Sequence, residues 1–364
     1  SISSQQKELL NPVAVAHLAK NLQSNMRIIP TLRIQYDFIK PTEYQRLRYN
    51  GYITFDIENN KYNKFLPKEI VPKSWLNSDI NRADDQEEEG LTVMTDQNIT
   101  WQPNLGKDHS LMLYGSWQLT SGNSQYQQFQ TYGSASESIS SAVAGANQSY
   151  TASGSGQWRS MAVLGRFHYA LFGRYILDGT LRYDGSSRFG KNKKWGTFPA
   201  VSGAWRASNE KFWKNNWLVN QAKLRISYGV NGSNSIPSNS AYGVLSNSNY
   251  SQDGKLTTGF IPGSTANDDL GWQKTDSWNA GIELGLFNNR ISLAVDYYMK
   301  NIRDMLYQIT LPADMGYTRG YTNVGNIRNT GIELELKTEN LTGRLRWTTN
   351  FQFSWNKNKV IDLG

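Results

Sequence analysis

The clearest pattern in the chain is an alternation of apolar and polar residues over positions 271–300. Trp278, Ala280, Ile282, Leu284 and Leu286 interleave with Ser277, Asn279, Gly281, Glu283 and Gly285, and Phe287, Asn288 and Asn289 supply a tight turn. Ile291, Leu293, Val295, Tyr297 and Met299 then interleave with Ser292, Ala294, Asp296, Tyr298 and Lys300. Successive β side chains point to opposite faces, so the stretch predicts a hairpin with one apolar and one polar wall. Taken alone, the pattern fits a half-buried sheet in water and a strand pair of a membrane barrel equally well.

The same alternation recurs. It predicts strands through Leu32, Ile34, Tyr36 and Phe38, through Leu47 to Ile57, near 88–101, and through Leu111, Leu113, Gly115, Trp117 and Leu119. Further strands end in Phe167 and Tyr169, carry Tyr175, Leu177, Leu181 and Tyr183, span 195–206, and carry Leu224, Ile226, Tyr228 and Val230. Pro199 should interrupt the ladder of its strand or mark a bulge. A last hairpin covers 327–338 and 344–357. The first twenty-odd residues read as loop with a short helix, Asn11 capping it and Pro12 in its first turn, and 208–216 as one helical turn. The total is about twelve strands. Their connections alternate: tight turns follow strands one, three, five, nine and eleven and a modest one strand seven, while long loops near 59–86, 121–156, 231–270 and 301–326, or a compact basic one after strand six, follow the even strands. A soluble sandwich has no reason to collect its long loops at one end. An outer-membrane barrel does, having short periplasmic turns and long extracellular loops.

Composition agrees with that choice. Hydrophobic residues are 38% of the chain and mean hydropathy is −0.59. No apolar run approaches the roughly 20 residues of a spanning helix, but a barrel needs none, since alternate residues face a polar lumen. Twelve Trp and 20 Tyr need a reason. Trp158, Trp195, Trp272 and Trp355 fall at the loop ends of predicted strands, and Trp101, Trp205, Trp213, Trp217 and Trp347 at the turn ends. That is the placement of two interfacial aromatic girdles. Cysteine is absent, which removes disulfides, thiol catalysis and Cys-ligated metal. The net charge of +8 is scattered rather than clustered, which argues against nucleic-acid binding. His17, His109 and His168 stand in no HExxH or GxSxG setting, so the chain does not read as an enzyme. Residues 1–20 lack the basic and apolar regions of a secretory signal.

The run Tyr175-Ile-Leu-Asp-Gly-Thr-Leu-Arg-Tyr-Asp-Gly-Ser-Ser-Arg-Phe-Gly190 resembles the barrel signature of SusC/RagA-type TonB-dependent outer-membrane transporters. Phe198-Pro-Ala-Val-Ser-Gly-Ala-Trp-Arg206, Lys223-Leu-Arg-Ile-Ser-Tyr-Gly229, Trp278-Asn-Ala-Gly-Ile-Glu-Leu-Gly-Leu286 and Val324-Gly-Asn-Ile-Arg-Asn-Thr-Gly-Ile-Glu-Leu336 continue the likeness in order. The resemblance implies an all-β, transmembrane antiparallel barrel of 22 strands, filled by an amino-terminal plug and paired with a SusD-like surface lipoprotein. It further implies TonB-driven uptake of oligosaccharides or peptides across the outer membrane of a Gram-negative bacterium. The plug, a TonB-contacting segment and about half of such a barrel's strands have no counterpart in these residues. Residues 1–364 are therefore expected to form a single partial barrel domain, an interior piece of a longer polypeptide. The competing reading is a surface β-protein for adhesion or ligand binding without transport.

Candidate chemistry is thin. Asp184, Gly185, Ser186, Ser187, Arg188 and Phe189 head a compact loop running to Lys194. It reads as a structural corner, Arg188 pairing with Asp184 or a neighbouring loop. Lys191, Lys193 and Lys194 beside Trp195 suit either lipopolysaccharide phosphates or a plain solvated turn. The acidic run with Asp79, Asp84, Asp85, Glu87, Glu88 and Glu89 has oxygen ligands enough for Ca²⁺ but no EF-hand spacing, so a hydrated loop is the default and no metal or other cofactor is assigned. Substrate contacts are expected from aromatic and amide residues on the long loops: Tyr126, Gln127, Gln128, Phe129, Tyr132, Tyr242, Tyr250 and Phe260.

Overall fold

A computed structural model describes residues 12–42, 45–70, 80–142, 146–213, 217–312, 314, 316–317 and 319–363. One short helix, α1 (Pro12–Leu18), precedes the strands β1 (Lys20–Ile28), β2 (Thr31–Ile39), β3 (Arg46–Leu66), β4 (Arg82–Gln102), β5 (His109–Tyr132), β6 (Asn147–Leu171), β7 (Tyr175–Ser186), β8 (Trp195–Arg206) and β9 (Val219–Ser233). Then follow β10 (Val244–Gln252), β11 (Lys255–Ser264), β12 (Gln273–Leu286), β13 (Ile291–Arg303), β14 (Leu306–Thr310), β15 (Arg319–Asn323), β16 (Asn326–Thr342) and β17 (Arg346–Asp362). Thirteen of them form one sheet in the order β1-β3-β4-β5-β6-β7-β8-β9-β12-β13-β16-β17, with β2 also on β3; β10–β11 and β14–β15 are separate two-stranded ribbons. At the two ends of this order β1 pairs with β3 and β17 with β16.

The expected all-antiparallel β architecture is what the chain adopts, with differences in extent. The helix lies where expected, but its cap at Asn11 is outside the described residues, as are Asp79 and the last three residues of the helical turn at 208–216. Lys20–Ile28, read as loop, is a strand: it pairs with β3 residue by residue from Lys20 opposite Phe65 to Ile28 opposite Ile57. β1 and β2 share this partner and part at Pro30, which has no N–H to donate while its carbonyl accepts from Phe55 at 3.0 Å. Two of the long loops are shorter than expected, because β3, β4, β5 and β6 extend into them. The other two each fold partly into a ribbon.

The 271–300 hairpin forms as its pattern predicts. Trp278 lies opposite Met299, Ala280 opposite Tyr297, Ile282 opposite Val295 and Leu284 opposite Leu293. Phe287, Asn288 and Asn289 all have positive φ, 52° to 60°. For residues with a Cβ this costs about 1 kcal/mol each or more, offset here by backbone bonds from Phe287 to the Leu218 carbonyl and from Arg290 to that of Phe287.

The ladders carry this register across the second half of the sheet. Ile226, Ala280, Tyr297, Ile332 and Trp355 share one rung; Leu224, Ile282, Val295, Leu334 and Phe353 share the next. None of the apolar members is buried, and Phe351 and Phe353 remain half exposed. The apolar side chains therefore form an outward wall rather than a sealed core. From Leu286 to Trp278 the wall is eight residue steps, about 27 Å of strand, or about 21 Å at a ~40° tilt, close to the apolar band of an outer-membrane barrel.

By its contacts the chain divides into two compact units interleaved along the sequence: 1–32, 53–95 and 120–158 form one, and 33–52, 96–119 and 159–364 the other. The second holds a small buried cluster, Phe189, Ile236, Ala241 and Leu270, against which Trp272, Leu306 and Tyr321 pack.

Candidate functional site

In the first unit, β1, β3, β4 and β5 enclose a polar groove of about 650 Å³ lined by Gln23, Asn25, Glu58, Asn60, Asp84 and Tyr126 among others. Alternation puts these residues on one face of their strands. Asp84 accepts from the side-chain amides of Gln128 and Gln130, both at 2.9 Å, and the Tyr126 hydroxyl donates to Gln128 at 2.6 Å. At the groove's edge Arg27 grips Asp56 through two bonds of 2.8 and 2.7 Å. Amides, carboxylates and a phenol ring in a concave site suit ligands rich in hydroxyl or peptide groups.

The structure thus joins Tyr126 and Gln128 but moves them, with Gln127, Phe129 and Tyr132, from a loop onto β5. Gln127 and Phe129 face the other way, into a hollow of about 600 Å³ shared with Leu22, Asn63, Asp85 and Glu87. The acidic run is likewise a strand rather than a hydrated loop. Its period of two sends Asp84 to one face and Asp85 and Glu87 to the other. Asp85 accepts from Asn63 and from the Ala142 amide at 2.8 Å. The Lys61 ammonium lies 2.6 Å from Glu87, and the Asn59 side-chain amide donates to the same carboxylate at 3.4 Å. Among the described residues no group of three or more His, Asp or Glu is placed to hold a metal.

In the second unit the polar face of the barrel wall carries an ionic ladder. Lys223 reaches Glu283 at 3.2 Å, Arg225 reaches Glu283 at 3.3 Å, and Arg225 reaches Asp296 at 2.6 Å. Glu333, Glu335 and Gln352 complete a hollow of about 680 Å³ there. His168 and Arg166 both meet Asp178 on this face, at 2.9 and 3.4 Å. Tyr242, Tyr250 and Phe260 belong to this unit, on or beside β10–β11, and are well exposed.

The loop 184–194 is a clamp. Arg188 does not reach Asp184, which pairs with Arg182 at 2.7 Å. It donates instead to the carbonyls of Asn234 and Ile236, at 3.4 and 3.1 Å. Backbone bonds run from Ser187 to Arg159, from Gly190 to Leu270 and from Asn192 to Asp268. A Cβ on Gly190 would collide with the Asp268 carbonyl, so only glycine permits this approach. Phe189 is fully buried beneath it. Trp272, expected in a girdle, packs on Phe189 and Phe198 and donates to the Lys194 carbonyl at 3.1 Å. Lys191 is held by Asp268 at 2.6 Å, which raises its pKa.

Arg27, Glu58 and Asn60 were not among the expected site residues. Their signal, polar residues at alternate positions, is present in the sequence, but the stretch that brings Arg27 to the groove reads as loop until its pairing with β3 is seen.

An antiparallel wall, apolar on one face and ionic on the other, with turns at one end and long connections at the other, is the pattern of an outer-membrane β-barrel. A family profile described as "TonB dependent receptor-like, beta-barrel" matches residues 20–362, and the chain belongs to that family. The chain is 37% identical over 199 residues to TonB-dependent receptor P39 of Formosa agariphila, a match covering 54% of this chain and 19% of that protein. It is 32% identical over 209 residues to TonB-dependent receptor SusC of Bacteroides thetaiotaomicron, covering 56% and 21%. The fold matches a chain of the RagAB peptide transporter with a TM-score of 0.80 at 22% identity, over 96% of this chain and 38% of that one. The aligned stretches cover about a fifth of these two curated relatives, and where 97% of the chain aligns, with TonB-dependent receptor P26 of Formosa agariphila at 27% identity, it spans 36% of that protein. The TonB-dependent barrel expected from the signature run is borne out, and the family is one of outer-membrane receptors and transporters.

Proposed function

We propose that this chain is the wall and part of the substrate chamber of an outer-membrane importer for oligosaccharides or peptides, energised through TonB and covered by a SusD-like surface lipoprotein. The observation that carries the reading is the polar groove around Tyr126, Asn60 and Asp84, a concave site lined by amides, carboxylates and a phenol ring. Gln128 and Gln130 hold Asp84 with side-chain amides, so a ligand hydroxyl or peptide N–H can exchange with them without leaving a buried charge bare. The Tyr126 ring offers a face on which a sugar or planar peptide group stacks. Likeness to TonB-dependent receptor SusC supports the energy coupling, and fold likeness to a chain of the RagAB peptide transporter supports peptides among the substrates, while the oligosaccharide and lipoprotein parts rest on the resemblance of the 175–190 run. No step calls for catalysis, metal or other cofactor.

The test uses the intact transporter in its own outer membrane, supplied with a panel of labelled glycans and peptides. Tyr126→Ala with Gln128→Ala should lower uptake of one class by about tenfold, the effect of losing one to two good polar contacts. Abolished surface adhesion with TonB-independent, unchanged uptake would instead support a binding protein that does not transport.

A further inference from the structure

We propose that Trp158, laid over Gly122, is a stacking subsite for a neutral oligosaccharide that continues the Tyr126 groove along β5 and β6. The inference rests on the importer reading and names the substrate class of that site. β5 and β6 are neighbours in the sheet. A Cβ on Gly122 would collide with the Trp158 indole at Nε1, Cε2 and Cζ2, so the ring fills the space of the missing side chain. Gly122 is buried and Trp158 half-buried. The indole thus lies across bare backbone, which leaves its outer surface to the chamber. By the strand's period of two, Gly122 shares its face of β5 with Tyr126 and Gln128. Trp158 therefore stands on the groove side rather than in the aromatic girdle that its place in the sequence suggested. Four residue steps separate Gly122 from Tyr126, about 13 Å of strand. The wall between the two rings is low: Gly156 faces the Ser124 hydroxyl, and a Cβ on Gly154 would meet nothing within 4 Å.

The chemistry around the rings selects the ligand. A pyranose has a face of C–H bonds, polarised positive by its oxygens, that suits the negative face of an indole or phenol ring. Its hydroxyls both donate and accept, as the amides of Gln128, Gln130 and Asn60 do. Glu58 accepts from Asn60 at 3.0 Å, a second carboxylate–amide pair beside that of Asp84. An extended peptide backbone carries no comparable flat C–H face. Charge narrows the class further. Among the described residues lining the groove, Arg27 is engaged by Asp56 and Lys61 by Glu87, which leaves Lys64 to face Glu58, Asp84 and Glu88. A lining with more carboxylates than available cations repels uronate and sulfated sugars.

The experiment titrates the purified full-length transporter in detergent with malto-, xylo-, manno- and fructo-oligosaccharides of increasing length, with uronate oligomers of alginate and pectin, and with peptides of a tryptic casein digest. A neutral series should bind, gaining affinity with length until the oligomer spans both rings. Trp158→Ala should weaken its longest member about tenfold while sparing the shortest that binds, and Trp158→Phe should restore most of the loss. Gly122→Val pushes the indole off its seat and should weaken the long oligomer likewise. Uronate oligomers should bind worst at low salt, the gap narrowing as salt screens the carboxylates. Heat-modifiable gel migration reports that each variant has folded. Unchanged binding of the long oligomer by Trp158→Ala, uronates that bind as tightly as neutral sugars, or a panel in which no neutral sugar binds would overturn the proposal. Peptide binding that falls in Tyr126→Ala/Gln128→Ala but ignores Trp158→Ala would overturn it and leave the importer reading standing. Sugar binding that needs Trp158, in a protein whose uptake is indifferent to loss of TonB, would support the subsite and sink the importer reading instead.

Discussion

The loop 184–194 and the ribbon β10–β11 join strands at the same end of the second unit, yet they are built on opposite principles. The loop buries Phe189 completely, sets Arg188 on two carbonyls and tolerates only glycine at 190. The ribbon pairs with itself alone, Val244 to Gln252 against Ser264 to Lys255, and leaves Leu256 78% and Phe260 67% exposed. A two-stranded hairpin is marginal in water. One connection is therefore scaffold that fixes its neighbours, and the other leaves its apolar side chains exposed.

The largest effect should come from the clamp's centre. Phe189→Ala removes the ring over which Leu270 and Trp272 pack, and should cost about 3–5 kcal/mol, read as a drop in the unfolding midpoint and new proteolytic cuts in 231–270. If the midpoint stays put, the clamp is not scaffold and the contrast fails. Next comes Arg188→Gln, which strips charged donors from the Asn234 and Ile236 carbonyls and should cost about 1.5–3 kcal/mol by the same measurement. In the ribbon the expectation reverses. Phe260→Ala or Leu256→Ser should change stability by no more than about 0.5 kcal/mol, while pull-down of a surface partner or substrate uptake falls; a stability loss as large as that of Phe189→Ala would place the ribbon in the scaffold too. The smallest effect is electrostatic. Asp268 raises the Lys191 pKa above its ordinary 10.5, so the stabilisation from this exposed pair is fully present below pH 10.5 and is lost as pH rises through the higher folded value. Hydrogen exchange of the Asn192 amide, bonded to the Asp268 carbonyl, should accelerate there beyond the ordinary base-catalysed rise, and Lys191→Gln should abolish the excess.

Much of this was legible in the order of residues. Alternation predicted the 271–300 hairpin with its turn, the apolar wall of Ile282, Val295 and Phe353, and the opposed Glu283 and Asp296. The run 175–190 pointed to the family. Less was legible at strand ends. Tyr126, Phe129 and Asp84 read as loop residues because Gln, Asn, Ser and Glu dominate there, and polar strand ends lack the apolar partner residues that mark alternation.

What the sequence determined by itself is the face each residue takes, because a strand's period of two is a local property of the backbone. Which strands lie side by side, and in what register, was decided only by the tertiary structure. That is why Arg27 meeting Asp56, Trp158 meeting Gly122 and Arg188 reaching Ile236 could not be read from the chain: each joins positions whose spacing along it carries no period, and only the ladders and the closed loop cluster bring them together.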